Sequence, residues 1–231
     1  MLRRRSVIAV LLALAACTSS GPDREGAVAV TAHLALRPAA DGEAWPIDIA
    51  AAIGREQAAQ TELKADGTPS IPTVPRITVE RNPIYSDRFA PIEAWTIRAA
   101  QRETLVDAHA RARSDRNGAG DIVPVYEHVE QGWELHFVHS TGGFELAPGA
   151  MAKVAPSKDG EPPAVALFLA EGDGVRFEQL TREHLGRRIS MLTGDESLMI
   201  PVVRDAVPGG VVWITAEVDG SADQLLARLV R

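Results

Sequence analysis

The sequence predicts an α+β fold, an antiparallel sheet with helices packed mainly on one face. Three observations predict it. Runs of apolar-polar alternation recur at residues 27–37, 122–127 and 131–139, the period of half-buried strands. Helical spacing is confined to a few windows: Leu105, Ala108, His109 and Ala112; Phe177, Leu180, Thr181 and His184; Leu225, Leu226 and Leu229. Glycine, proline and Asp/Asn/Ser turn residues stand at most of the boundaries between these runs.

In chain order, Arg3, Arg4 and Arg5 precede a small apolar run over residues 6–16. At roughly 11 residues it is shorter than the about 20 needed to cross a bilayer, which marks residues 1–16 as a signal peptide. The run Leu14-Ala15-Ala16-Cys17 resembles the lipobox of bacterial lipoproteins. The resemblance implies cleavage before Cys17, lipid attachment at Cys17, and a membrane partnership through those acyl chains. Cys17 is the single cysteine, so a lipidated chain has no disulfide and no cysteine nucleophile. The net charge of −7 becomes −10 once the three arginines leave, with 21 basic against 31 acidic side chains. That balance excludes nucleic acid and a polybasic membrane patch.

Residues 17–26 are small and polar, a flexible tether. Residues 27–140 form an N-terminal α+β region. It opens with a strand over 27–37, carrying Val28, Val30, Ala32, Leu34 and Leu36 on one side and His33 on the other. A short helix is expected over 47–59 with Asp48 as its N-cap. Residues 65–91 hold Pro69, Pro72, Pro75, Pro83 and Pro91, which leaves room only for an edge strand near 77–80. Residues 93–113 read either as one helix or as a strand followed by a helix. Two strands follow, over 122–127 and 131–139, around the turn at Glu130-Gln131-Gly132. In the second, Trp133, Leu135, Phe137 and His139 share one face, and Glu134, His136 and Val138 the other.

The last third carries readable caps and turns. Residues 164–169 form an apolar strand, Asp173 is placed to cap a helix through Phe177 and Leu180, and Gly186 ends it. Strands follow from Ile189, over 198–203 despite Pro201, and over 211–218 after Pro208-Gly209-Gly210. Ser221-Ala222-Asp223-Gln224 has the form of a capping box opening the final helix.

The set Phe177, Leu180, Thr181, Leu185, Gly186, Arg187, Ile189, Pro201, Val203, Gly209, Gly210 and Ile214 resembles the head subdomain of the first periplasmic domain of SecD/SecDF. That family serves bacterial protein export. Phe144, Glu145, Leu146 and Val154 extend the likeness upstream, so residues 141–231 are expected to form a SecD-head-like α+β domain. Two departures stand out: Gly194-Asp195-Glu196 replaces an Asp-Gly turn, and Thr215 or Ala216 replaces a late glycine. The resemblance implies contact with an exported polypeptide or another envelope protein. It implies nothing about the proton-coupled work done by SecD's membrane helices.

Motifs for chemistry are absent from the sequence: no Gly-x-Ser-x-Gly elbow, Walker loop, zincin motif or dinucleotide fingerprint. His136 and His139 point to opposite faces of a strand and do not share an ion. Asp121, Glu127, Glu130 and Glu134 make a solvated acidic face unless folding brings two together. Trp45, Trp95, Trp133 and Trp213 read mainly as core anchors, with Trp213 partly exposed. No catalytic residue, metal ligand or cofactor is assigned from sequence, and the binding residues are left unassigned. The expected function is a membrane-anchored envelope lipoprotein, facing the periplasm or extracytoplasmic space, that acts as a non-catalytic binding module associated with protein export. The alternatives are a structural component of an envelope assembly, or an enzyme whose site lies in the N-terminal region.

Overall fold

The computed structural model describes residues 23–62, 77–86, 88–114, 120–155, 163–215 and 221–230. Cys17 and the three prolines at 69, 72 and 75 lie outside them, as do residues 1–16, expected as a signal peptide, and most of residues 17–26, expected as a tether.

The fold is α+β, with sheets that are antiparallel except for one pairing. The strands are β1 (Val28–Ala29), β2 (Leu34–Pro38), β3 (Thr78–Arg81), β4 (Ile84–Ser86), β5 (Phe89–Ile92), β6 (Trp95–Ala99), β7 (Ile122–Val129), β8 (Gly132–His139), β9 (Phe144–Glu145), β10 (Met151–Ala155), β11 (Ala164–Phe168), β12 (Ile189–Thr193), β13 (Glu196–Met199) and β14 (Val211–Thr215). The helices are α1 (Ala44–Glu62), α2 (Arg102–Ser114), α3 (Glu171–Glu183) and α4 (Ser221–Leu229). An eight-stranded sheet runs β3-β6-β8-β7-β13-β12-β2-β9, and a four-stranded sheet runs β1-β10-β11-β14. A separate hairpin pairs β4 with β5.

The alternation over residues 27–37 serves two strands in two sheets. Thr31 and Ala32 both donate their N–H to the Leu229 carbonyl at the end of α4, which bends the chain between β1 and β2. Residues 93–113 resolve into strand β6 followed by α2. The helix after residue 44 starts three residues before the expected position, with Pro46 in its first turn, where its missing N–H costs nothing. Asp173 does not cap α3. Ala170 occupies that place without a side-chain bond, and the buried Asp173 carboxylate instead accepts the Ala147 N–H at 2.5 Å. The strand expected over 198–203 stops at Met199, ahead of Pro201, and only a bridge from Val202 to Arg188 continues the pairing.

The largest core lies between the two sheets. Leu34, Leu36, Ile189 and Met191 meet Val165, Leu167, Val212 and Ile214, with Phe177 and Leu180 of α3 and Leu225 and Leu229 of α4 completing it. A second core holds α1 and α2 against β3, β6 and β8 through Ile49, Ile53, Leu105, Ile97 and Leu135. Fully burying an aliphatic side chain contributes about 1.5–3 kcal/mol each.

The eight-stranded sheet also curls back on itself. Beyond β2, the Ala39 N–H donates to the Arg188 carbonyl while the Ala40 N–H donates to the Phe137 carbonyl, and Ala39 bridges Val138. Strands β8, β7, β13, β12 and β2 therefore form a closed ring. Both large cores use the outer side of that ring. The register places Ala35, Leu192, Ser197, Glu127, Glu134 and Arg98 in one row across the opposite side.

Candidate functional site

The side chains turned into the ring begin as an apolar cluster of Val125, Val138 and Leu192. Beside it the row becomes charged. Glu127 and Glu134 are direct partners across the β7–β8 hairpin, and His136 stands two residues beyond Glu134 on the same face. Folding thus unites two of the four carboxylates expected to be solvated. Asp121 stays at the surface, where its carboxylate accepts the Thr141 hydroxyl at 2.6 Å and lies 3.3 Å from His139 Nδ1. Those two hydrogen bonds hold the Asp121 carboxyl below its usual range.

His136 Nε2 lies 3.2 Å from Glu127 Oε2 and 3.3 Å from Glu134 Oε2, with the His136 side chain only 3% exposed. Neither contact has hydrogen-bond direction, so both ring nitrogens are buried without a hydrogen-bond partner. The two oxygens of Glu134 divide their work: Arg98 Nε donates to Oε1 at 2.9 Å, and Oε2 turns to His136. Arg188 forms a two-pronged pair with Asp41, at 2.8 and 2.6 Å, with both side chains nearly buried.

Burial alone would raise the Glu134 carboxyl, but His136 and Arg98 outweigh it and hold it at about 2. Burial pushes His136 down, yet the carboxylates of Glu127 and Glu134 win and raise it. Three carboxylates (Asp41, Glu127, Glu134) thus stand with the guanidiniums of Arg98 and Arg188 around the His136 imidazole.

A cavity of ≈ 20 Å³ reaches this cluster from the side of α1, lined by Asp41, Gly42, Trp95, His136 and Arg188 among others. It is far below the roughly 300 Å³ at which small-molecule sites begin. A second cavity of ≈ 20 Å³, lined by Phe177, Met191 and Met199, is almost wholly apolar and lies within the core between the sheets. Trp45 packs edge-on against Phe137 and His109, and the indole N–H groups of Trp45 and Trp95 are buried without a hydrogen-bond partner. Trp133 lies beside His128 and beneath Arg102, and Trp213 is partly buried against Ala166 and Phe168.

Sequence reasoning missed Asp41, Arg98 and Arg188. One signal for the rest was present: a two-residue turn at Glu130-Gln131 sets the hairpin register and makes Glu127 face Glu134. Nothing local joins Asp41 to Arg188, 147 residues apart.

The sequence landmarks of the last third each have a local task. Leu180 enters the core, while the Thr181 hydroxyl donates to the Phe177 carbonyl and accepts the Val207 N–H at 3.0 Å. Gly210, at φ +67°, lies so close to Gly174 of α3 that an added Cβ would sit 3.1 Å from its Cα. Residues 149–231 match the SecDF P1 head subdomain family. The C-terminal part of this chain is thus SecD-head-like. A solved structure of SecDF, a membrane component that enhances protein export, is similar at 14% identity with a TM-score of 0.30, over 85% of this chain and 91% of that one. No curated protein matches the chain.

Proposed function

We propose that this chain is a lipid-anchored protein of the bacterial cell envelope whose SecD-head-like part is a non-catalytic binding module associated with protein export. The observation that carries the reading is the match of residues 149–231 to the SecDF P1 head subdomain. In this reading the chain faces the periplasm or extracytoplasmic space, and acylated Cys17 makes the membrane attachment. No described helix is long and apolar enough to cross a membrane.

The head-like part offers a physical means of engaging an extended polypeptide. Strand β14 is hydrogen-bonded to β11 on one side and ends the four-stranded sheet, so among the described strands its other edge is open. Such an edge accepts an added strand through backbone bonds, which reads extended conformation rather than a particular sequence. The partner in this reading is an exported polypeptide before it folds, or an extended segment of an envelope protein.

The test is retention of a permanently unfolded polypeptide by the purified full chain in detergent, set against the same polypeptide folded. Preferential retention of the unfolded form, lost when Trp213→Pro disrupts β14 in a variant that still melts cooperatively, is the expected result. Equal retention of both forms, or retention indifferent to β14, refutes it.

A further inference from the structure

Beyond the binding role, we propose that Glu127, Glu134 and His136 form a site for a single divalent transition-metal ion of the zinc type. Acidic clusters alone do not make a metal site. Here the additional observation is a histidine 4% exposed whose two ring nitrogens have no hydrogen-bond partner and whose Nε2 faces two carboxylate oxygens.

Geometry favours an ion. Zinc binds histidine nitrogen at about 2.0–2.1 Å and carboxylate oxygen at about 2.0–2.2 Å, so adjacent ligand atoms around a tetrahedral ion stand roughly 3.2–3.4 Å apart. The two Nε2–oxygen separations are 3.2 and 3.3 Å. One ligand atom from each of the three residues lies within 4.8 Å of the others, so modest side-chain shifts would bring all three to one centre at zinc-bonding distance. Nε2 is near both carboxylates and directed along a hydrogen bond to neither, which suits a lone pair shared with an ion between them better than a proton held by one.

The surroundings supply what a metal site needs outside its ligands. Arg98 holds Glu134 Oε1 and leaves Oε2 for the centre, the kind of outer contact that orients a ligating carboxylate. Asp41 engages Arg188 in a closed pair. With Arg188 matched by Asp41, Glu127 and Glu134 bring two negative charges to a divalent ion. Arg98 adds a positive charge to this set, but its side chain is 36% exposed and part of its field is screened by solvent. One nitrogen and two oxygens, without thiolate, suit zinc, cobalt(II) or a similar borderline ion over copper(I). A proton on His136 competes for the same Nε2, and the experiment separates the two occupants.

The full chain, untagged and stripped with a chelator in detergent, is titrated with Co²⁺ and then Zn²⁺. Expected are one Co²⁺ per chain with the visible absorption of a low-coordinate site, its displacement by one Zn²⁺, and a rise in melting temperature on Zn²⁺ addition. Glu127→Gln should weaken binding by at least about tenfold, the scale at which even outer contacts matter, and abolish the thermal shift. His136→Ala should remove the absorption, and His139→Ala should leave all readouts unchanged. If His136→Ala does not fold, Glu127→Gln carries the test. No Co²⁺ uptake, or uptake indifferent to Glu127→Gln, overturns the proposal and leaves the proton as the occupant.

Discussion

Replacing Arg188 with methionine probes how far the ring depends on its buried charges. Arg188 and Asp41 are 14% and 12% exposed, and their two contacts at 2.8 and 2.6 Å join the head-like part to the N-terminal region. Arg188→Met keeps the length of the aliphatic stem and leaves the Asp41 carboxylate buried without its partner. Removing one member of a buried pair costs about 3–5 kcal/mol, because the remaining charge stays desolvated. For a domain of this size each kcal/mol moves the melting temperature by about 2–4 °C, so a fall of roughly 6–20 °C is expected. Urea unfolding followed by tryptophan fluorescence gives the free energy directly. Asp41→Asn in the Arg188→Met background should recover much of the loss, since the uncompensated charge is gone. Arg182→Ala, which removes a surface pair with Glu178, is the control and should cost less than about 1 kcal/mol. A loss below about 1 kcal/mol for Arg188→Met, or no recovery in the double variant, would show that water reaches the pair and would refute the reasoning.

Other expectations can be checked alongside. Gly143→Ala places a Cβ 1.9 Å from the Leu36 carbonyl oxygen where β2 meets β9, so the melting temperature should fall sharply; Gly172→Ala, in open space on α3, should instead stabilise by up to about 1 kcal/mol. His109 is buried beside Trp45 and Phe137, and burial together with the charge of Arg113 lowers its pKa below the ordinary 6.5. The unfolded chain therefore takes up the proton first, so this contribution is intact above about pH 6.5 and declines as pH falls below it. Melting curves at pH 7.5 and 5.5 should show a smaller drop for His109→Phe than for the parent, and equal drops would count against it. Cys17→Ser should abolish acyl-chain labelling and release the chain from membranes, and unchanged membrane fractionation would refute the anchor.

Local periodicity made much of the architecture legible. The spacing of Leu105, Ala108 and Ala112 marks α2, and that of Phe177, Leu180 and Thr181 marks α3; alternation and a short turn mark the β7–β8 hairpin. What local pattern does not carry is partnership. Residues 27–37 alternate as one strand would, and only the distant Leu229 carbonyl, which takes the Thr31 and Ala32 amides, divides them between sheets. The parallel pairing of β13 with β7 likewise depends on elements far apart in the chain. At the candidate site the same limit operates: Glu127, Glu134 and His136 share a face readable from one hairpin, whereas Asp41 and Arg188 arrive from opposite ends of the chain. Asp173 shows the converse. It has the right residue type for a cap, but its carboxylate serves the Ala147 amide.

The closed ring also sets an order in time. Strand β2 lies near the start of the described chain, yet its neighbour β12 begins at Ile189 and the amide of Ala39 waits for the carbonyl of Arg188. Until residues near 190 are available, β2 has only the two-residue β9 and the Ala39–Val138 bridge beside it, and the ring cannot close before the entropy of so long a loop is met. A chain delivered from its N-terminus would therefore keep its first half incompletely folded until most of its length had emerged. Residues delivered late would complete a strand laid down early.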